Sequence, residues 1–139
     1  MAMRSEDFTE QAQEVLATSQ EVVRRYRHSQ WDVEHMLLAL LEVDGVPGDI
    51  LRELGVSAGA VRDRVSESLN QAAKIAQETE ALYMAPRANR MMQNAKAESQ
   101  RLKDDYIGSE HLFIAVTLED QEDAPRILQE FGIDTEKVY

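Results

Sequence analysis

Two adjacent pairs of titratable residues, Glu34-His35 and Glu110-His111, each open an apolar run, Met36 to Leu41 and Leu112 to Val116. Two related carboxylates could serve as general acid and base, or could join the histidines as a metal site. The spacing argues against both. Neighbouring residues on a helix project about 100° apart, so a glutamate and the histidine beside it do not chelate one ion easily. A helical metalloprotease motif needs two histidines four positions apart with a glutamate between them, and none is present. With 0 cysteines, a thiol nucleophile, a thiolate metal site and a disulfide framework are all excluded. No G-x-S-x-G elbow occurs, and no glycine precedes a lysine, so there is no phosphate-binding P-loop. The pairs therefore read as structural. A glutamate in a first helical turn gains about 0.3–1 kcal/mol from the helix dipole, and its histidine neighbour is expected to pack with both ring nitrogens satisfied. His28 reads as an exposed loop residue. The chain is expected to be no enzyme, with no cofactor or metal.

What positions these pairs is a duplicated helical unit. Sliding the sequence by 76 residues places Ala12 on Ala88, Arg25 on Arg101, Glu34-His35 on Glu110-His111 and Ala39 on Ala115. After a one-residue insertion the displacement is 77, and Ile50, Leu51, Glu53, Gly55 and Val61 fall on Ile127, Leu128, Glu130, Gly132 and Val138. An internal repeat of this order decides the architecture. Phe8, Ala12, Val15, Leu16, Ser19, Val22, Val23 and Tyr26 recur at the period of one helical face. Thr9 sits where an N-cap belongs, and Pro86 takes the next position in the second copy, where a missing N–H costs nothing.

The Met36 and Leu112 runs are apolar on nearly every side and predict buried helices. Ser109 is the expected cap of the second. Short third helices near Gly48 to Leu54 and Ala124 to Phe131 close at Gly55 and Gly132, with Ser57 and Asp134 as caps of fourth helices. The polar stretch Asn70 to Tyr83 has no counterpart and reads as the connection. Val22 and Val23 correspond to Glu98 and Ser99, so whatever covers that stripe is expected to be absent, or to be solvent, in copy two. The fold class is all-α: two pseudo-symmetric four-helix repeats, about 8–69 and 84–139, joined over 70–83 into one eight-helix domain spanning 1–139. The last helix is expected to be cut short at Tyr139.

Composition agrees. The 139 residues suit one domain, only 6% are aromatic, and 6 glycines and 3 prolines leave little room for sheet. A net charge of −11 disfavours nucleic acid and acidic membrane surfaces as partners. The longest apolar run is far too short to span a bilayer, and Met1 to Glu10 is charged rather than apolar, unlike a signal peptide. A cytoplasmic setting is expected.

The segments Phe8-Thr9-Glu10, Asp32-Val33-Glu34-His35-Met36-Leu37-Leu38 and Leu54-Gly55-Val56, with Ala85-Pro86-Arg87, Tyr106-Ile107-Gly108-Ser109-Glu110-His111 and Phe131-Gly132-Ile133 in the second copy, resemble the Clp N-terminal repeat domain at the front of ClpA, ClpB and ClpC unfoldases. The resemblance covers essentially the whole chain. It implies a module that binds unfolded or tagged client proteins and adaptor proteins. ATP, Mg and any Clp peptidase partner would then belong to the remainder of a longer polypeptide.

In ClpC-like members, the threonine opening each repeat and the glutamate of the glutamate–histidine pair form pockets for phosphorylated arginine. Hydroxyl and helix N-terminus suit the phosphate, and carboxylate suits the guanidinium. By that pattern Thr9 with Glu34 preserves one set. In the second copy Glu110 remains, while Ala85, followed by Pro86, replaces the threonine. In ClpB-like members an apolar groove on the second repeat binds unfolded segments, and here Asn94, Glu98 and His111 stand where it would lie. The resemblance favours a ClpC-like client or adaptor surface. The competing expectation is a free-standing helical adaptor that shares the repeat without an ATPase.

Overall fold

A computed structural model of the chain describes residues 5–26, 28, 30–43, 45–71, 83–84, 86–118 and 123–133. A short 3-10 turn, Ser5–Asp7, leads into α1 (Glu10–Arg25), followed by α2 (Val33–Glu42), α3 (Val46–Glu53) and α4 (Ala58–Gln71). The second copy supplies α5 (Pro86–Arg101), α6 (Ser109–Leu118) and α7 (Asp123–Glu130). The bounds of α1 and α2 reappear in α5 and α6 after adding 76, and those of α3 reappear in α7 after adding 77. The expected fourth helix of the second copy, with Asp134 and Val138, lies outside the described residues, as do 72–82 of the expected connection.

Each start and stop has a local cause. Thr9 is extended, at φ −64° and ψ 161°, and its hydroxyl accepts the Ala12 N–H at 3.1 Å. Ser57 caps α4 by accepting the Ala60 N–H at 3.2 Å. Gly55 and Gly132 take φ of 73° and 78°, the left-handed conformation that closes α3 and α7. There Val56 N–H donates to Leu51 O and Ile133 N–H to Leu128 O, both at 2.9 Å. Two expectations are corrected. Asn70 and Gln71 continue α4 rather than belonging to a connection. Ser109 is the first residue of α6 rather than its cap, so Gly108 holds the cap position.

Nine consecutive residues of α2, Val33 to Leu41, are buried, as are Leu112 to Val116 of α6. Met36, Leu37, Leu40, Leu112 and Phe113 are wholly enclosed and share one core with Val15, Met91 and Leu128. Burying a side chain of this size contributes about 1.5–3 kcal/mol, so these two central helices are the main source of cohesion between the halves. α1 packs on α2, α5 on α6, and α2 meets α6 between them. The Val22–Val23 stripe is not lost to solvent in the second copy: Ser99 is buried with its hydroxyl donating to Lys96 O, and the Glu98 side chain is only 13% exposed, paired with Arg101.

Two short parallel pairings join the halves. β1 (Gln30–Trp31) runs beside β2 (Tyr83–Met84), and Phe8 bridges Ile107. Adding 76 turns Phe8 into Met84 and Trp31 into Ile107, so the two pairings are mates of one pseudo-twofold axis. The start of α1 therefore lies beside the start of α6, and the start of α5 beside that of α2. The helix starts are crossed between repeats.

Candidate functional site

The paired histidines act as caps. In the first copy the Asp32 N–H donates to His35 Nδ1 at 2.9 Å, while the Asp32 carboxylate accepts the Val33 N–H at 2.8 Å. In the second copy the Gly108 N–H donates to His111 Nδ1 at 2.8 Å. Histidine fills the place that glutamate or glutamine holds in a capping box. With Nδ1 accepting, each neutral ring carries its proton on Nε2. His35 Nε2 donates to His28 Nδ1 at 2.6 Å, and His111 Nε2 donates to Asp104 Oδ2 at 2.8 Å. His28 and Asp104 are themselves 76 apart, so two chemically different residues perform one task.

His28 is buried rather than exposed. Its Nε2 donates to Leu69 O at 3.0 Å, tying the loop before α2 to the last turn of α4, and Tyr26 stacks on its ring. Burial, and then the adjoining His28 ring, push the His35 imidazole down to about 4. Every ring nitrogen of the two cap histidines thus has an internal partner. Among the described residues, no cluster of three or more histidine and carboxylate groups is placed to hold a metal ion.

The crossed helix starts regroup the sequence-predicted site residues. Thr9 stands with Glu110, not with Glu34: its N–H donates to Ile107 O at 3.0 Å, immediately before α6. Beside it Ser109 Oγ donates to Gln11 Oε1 at 2.5 Å. The Glu110 carboxylate folds back over Gly108, where a Cβ would overlap it, and its side chain is 42% exposed. This end of the molecule combines a helix N-terminus and a hydroxyl with an accessible carboxylate, donors for an anion next to an acceptor for a cation.

At the other crossing, Pro86 opens α5 beside the start of α2, where Asp32 is the N-cap and Glu34 lies in the first turn, and Ala85 lies outside the described residues. Here a cation is already in place. Arg87 Nε donates to Asp32 Oδ1 and Oδ2 at 2.7 and 2.9 Å, and Arg87 Nη2 lies 4.0 Å from Glu34 Oε2. Sequence reasoning missed Arg87. The available signal was that Arg87 and Asp32 carry opposite charges, whereas their counterparts Gln11 and Gly108 carry none. Elsewhere, an open cavity of about 520 Å³ lies among α2, α3 and α4, walled by Leu41, Val43 and Val56 with Arg52 and Arg62 also lining it.

Comparison with known proteins identifies the family and the fold. The Clp repeat (R) N-terminal domain family matches residues 7–131. The chain is 31% identical over 131 residues to chaperone protein ClpB 2 of Synechocystis sp., covering 94% of this chain and 15% of that protein. It thus spans only a small part of the curated relatives it matches. The Hsp104 N-terminal domain of Candida albicans superposes with a TM-score of 0.84 at 20% identity, covering 95% of this chain and 86% of that one. A ClpV N-domain in complex with a VipB peptide gives a TM-score of 0.73 at 16% identity, covering 96% and 82%. No helix among the described residues is long and apolar enough to cross a membrane.

Proposed function

The chain belongs to the family of Clp repeat N-terminal domains, and from that premise we propose that it is the recognition module of a Clp-type ATP-dependent unfoldase in the cytoplasm. It captures client polypeptides or adaptor proteins, and phosphoarginine-tagged clients are the sharpest case. The observation carrying this reading is the crossing that sets Thr9, at the start of α1, beside the accessible Glu110 of α6. A phosphoarginine side chain bears an anion and a guanidinium on one group, and the two helix starts offer complementary partners to both. That a ClpV N-domain of this fold holds a peptide supports a peptide-binding role. On this reading the domain is not catalytic, and ATP, Mg and contacts with a Clp peptidase belong to other parts of the polypeptide.

The test is a titration of the 15N-labelled chain with free phosphoarginine and with unfolded casein, followed by NMR. The expected result is shifts at Thr9, Gln11, Ser109 and Glu110. Glu110→Gln should weaken phosphoarginine binding by about tenfold, the scale of one charge-assisted hydrogen bond. Amides that stay unmoved with both ligands would refute the reading.

A further inference from the structure

The two copies differ at the starts of their second helices in one coordinated way. In the first, a planar guanidinium is gripped by carboxylates: Arg87 Nη2 donates to Asp32 Oδ2 at 2.5 Å, alongside its two Nε bonds and its approach to Glu34. The side chains of Asp32 and Glu34 are 13% and 8% exposed. An arginine arriving from outside would adopt this same fork-to-carboxylate arrangement at such a site. Adding 76 to Gln11 gives Arg87, to Asp32 gives Gly108, and to Glu34 gives Glu110. In the second copy, therefore, the guanidinium is replaced by an uncharged amide engaged with Ser109, and the gripping carboxylate is replaced by hydrogen. Among the described residues no arginine or lysine pairs with Glu110; the ring nitrogen nearest its Oε1 is His111 Nδ1 at 3.8 Å, which already accepts the Gly108 N–H.

We propose that Arg87 is an internal occupant of the first-repeat acid site, closing it to guanidinium-bearing ligands and leaving the equivalent place at Glu110 as the open one. The inference rests on the cation-accepting role given to these glutamates above, and it adds that the two pseudo-symmetric places are unequal. Arg87 is tethered next to its acceptor, so it competes at a high effective concentration. A site that is free only a tenth of the time binds an external ligand about tenfold more weakly than its intrinsic affinity. One chain then engages one guanidinium group at low concentration, where its symmetry alone would suggest two.

Arg87→Gln, which copies Gln11, and Asp32→Gly, which copies Gly108, each release the occupant by a different route. Free phosphoarginine is titrated into the parent chain and both variants, and amide shifts are read at both crossings. The parent is expected to respond around Thr9 and Glu110 first. Each variant should gain a second set of shifts at Val33 and Glu34, at least about tenfold tighter than any response there in the parent. Unchanged dispersion of the remaining amides shows that a variant is folded. Equal responses at both places in the parent, or a folded variant that gains no second set, overturns this inference and leaves the function standing. Silence at both places in all three proteins removes both.

Discussion

Lowering the pH should destabilise the domain through His35. Its ring is buried, its Nδ1 already accepts the Asp32 N–H, and its Nε2 donates to a second buried ring, His28. A proton can be added to His35 only by breaking the bond to Asp32, in a site where burial and His28 disfavour the charge, Arg87 opposes it and Asp32 offsets part of that penalty. The folded ring titrates at about 4, against 6.5 for the ordinary group. Between these values the unfolded chain binds more protons than the folded one, so stability falls as the pH falls through that window. Integrating from about pH 7.5 to about pH 4.5 gives a loss of about 2–3 kcal/mol from this one group.

Urea unfolding followed by circular dichroism at half-unit pH steps measures the loss. The informative variant is His35→Gln. Glutamine is a natural capping-box residue, so its side-chain oxygen can accept the Asp32 N–H while its amide donates to His28. The variant should lie within about 1 kcal/mol of the parent near neutral pH. It should lose most of the parent's pH dependence between 6.5 and 4.5. A His35→Gln protein whose stability falls as steeply as the parent's over that interval would show that the ring is not the source.

Three further outcomes follow from the same geometry. Gly55→Ala should cost about 1 kcal/mol because φ is 73° there, whereas Gly59→Ala, inside α4 with only ordinary van der Waals neighbours, should gain about 0.5–1 kcal/mol, both read by urea midpoints. Thr9→Ala removes the cap on Ala12 and should cost about 1 kcal/mol of stability; if Thr9 also meets ligand, it should weaken phosphoarginine binding more than Glu10→Ala does. Phe113→Ala, at the fully buried centre of α6, should cost about 3–5 kcal/mol, whereas Arg64→Ala, which breaks a half-exposed pair with Glu130, should cost no more than about 1 kcal/mol; thermal unfolding separates the two.

The helices were legible because their signals are local. A cap hydroxyl at Thr9, a proline at Pro86, a glycine at Gly55 and an unbroken apolar run at Met36 each act on the few residues beside them. What could not be read is set by distant partners. His28 looks like an exposed residue of its loop until α4 brings Leu69 O to its ring, 41 positions along the chain. Thr9 looks like a companion of Glu34 until the pairing of Phe8 with Ile107 crosses the helix starts. Ser109 looks like the cap because hydroxyl residues usually are; it is instead the first residue of α6, after a Gly108 whose N–H donates to His111 Nδ1, and its own hydroxyl donates to Gln11, 98 positions away.

The duplication nonetheless carries more information than its matches. Comparing one copy with the other is an internal alignment, and its polar exchanges come as compatible sets. Asp32 with Arg87 becomes Gly108 with Gln11, so an ion pair is replaced by two uncharged residues and no lone charge is left behind. His28 becomes Asp104, and each accepts the proton on Nε2 of its own cap histidine. A buried charge or donor that lost its partner alone would cost several kcal/mol, so such exchanges persist only together. Apolar positions such as Leu51 and Leu128 are free to match, because burial asks only for shape. The coordinated differences fall at the crossed helix starts and the caps behind them: His28 and Asp104 keep one role with different chemistry, while the Asp32–Arg87 pair gives way to uncharged Gly108 and Gln11.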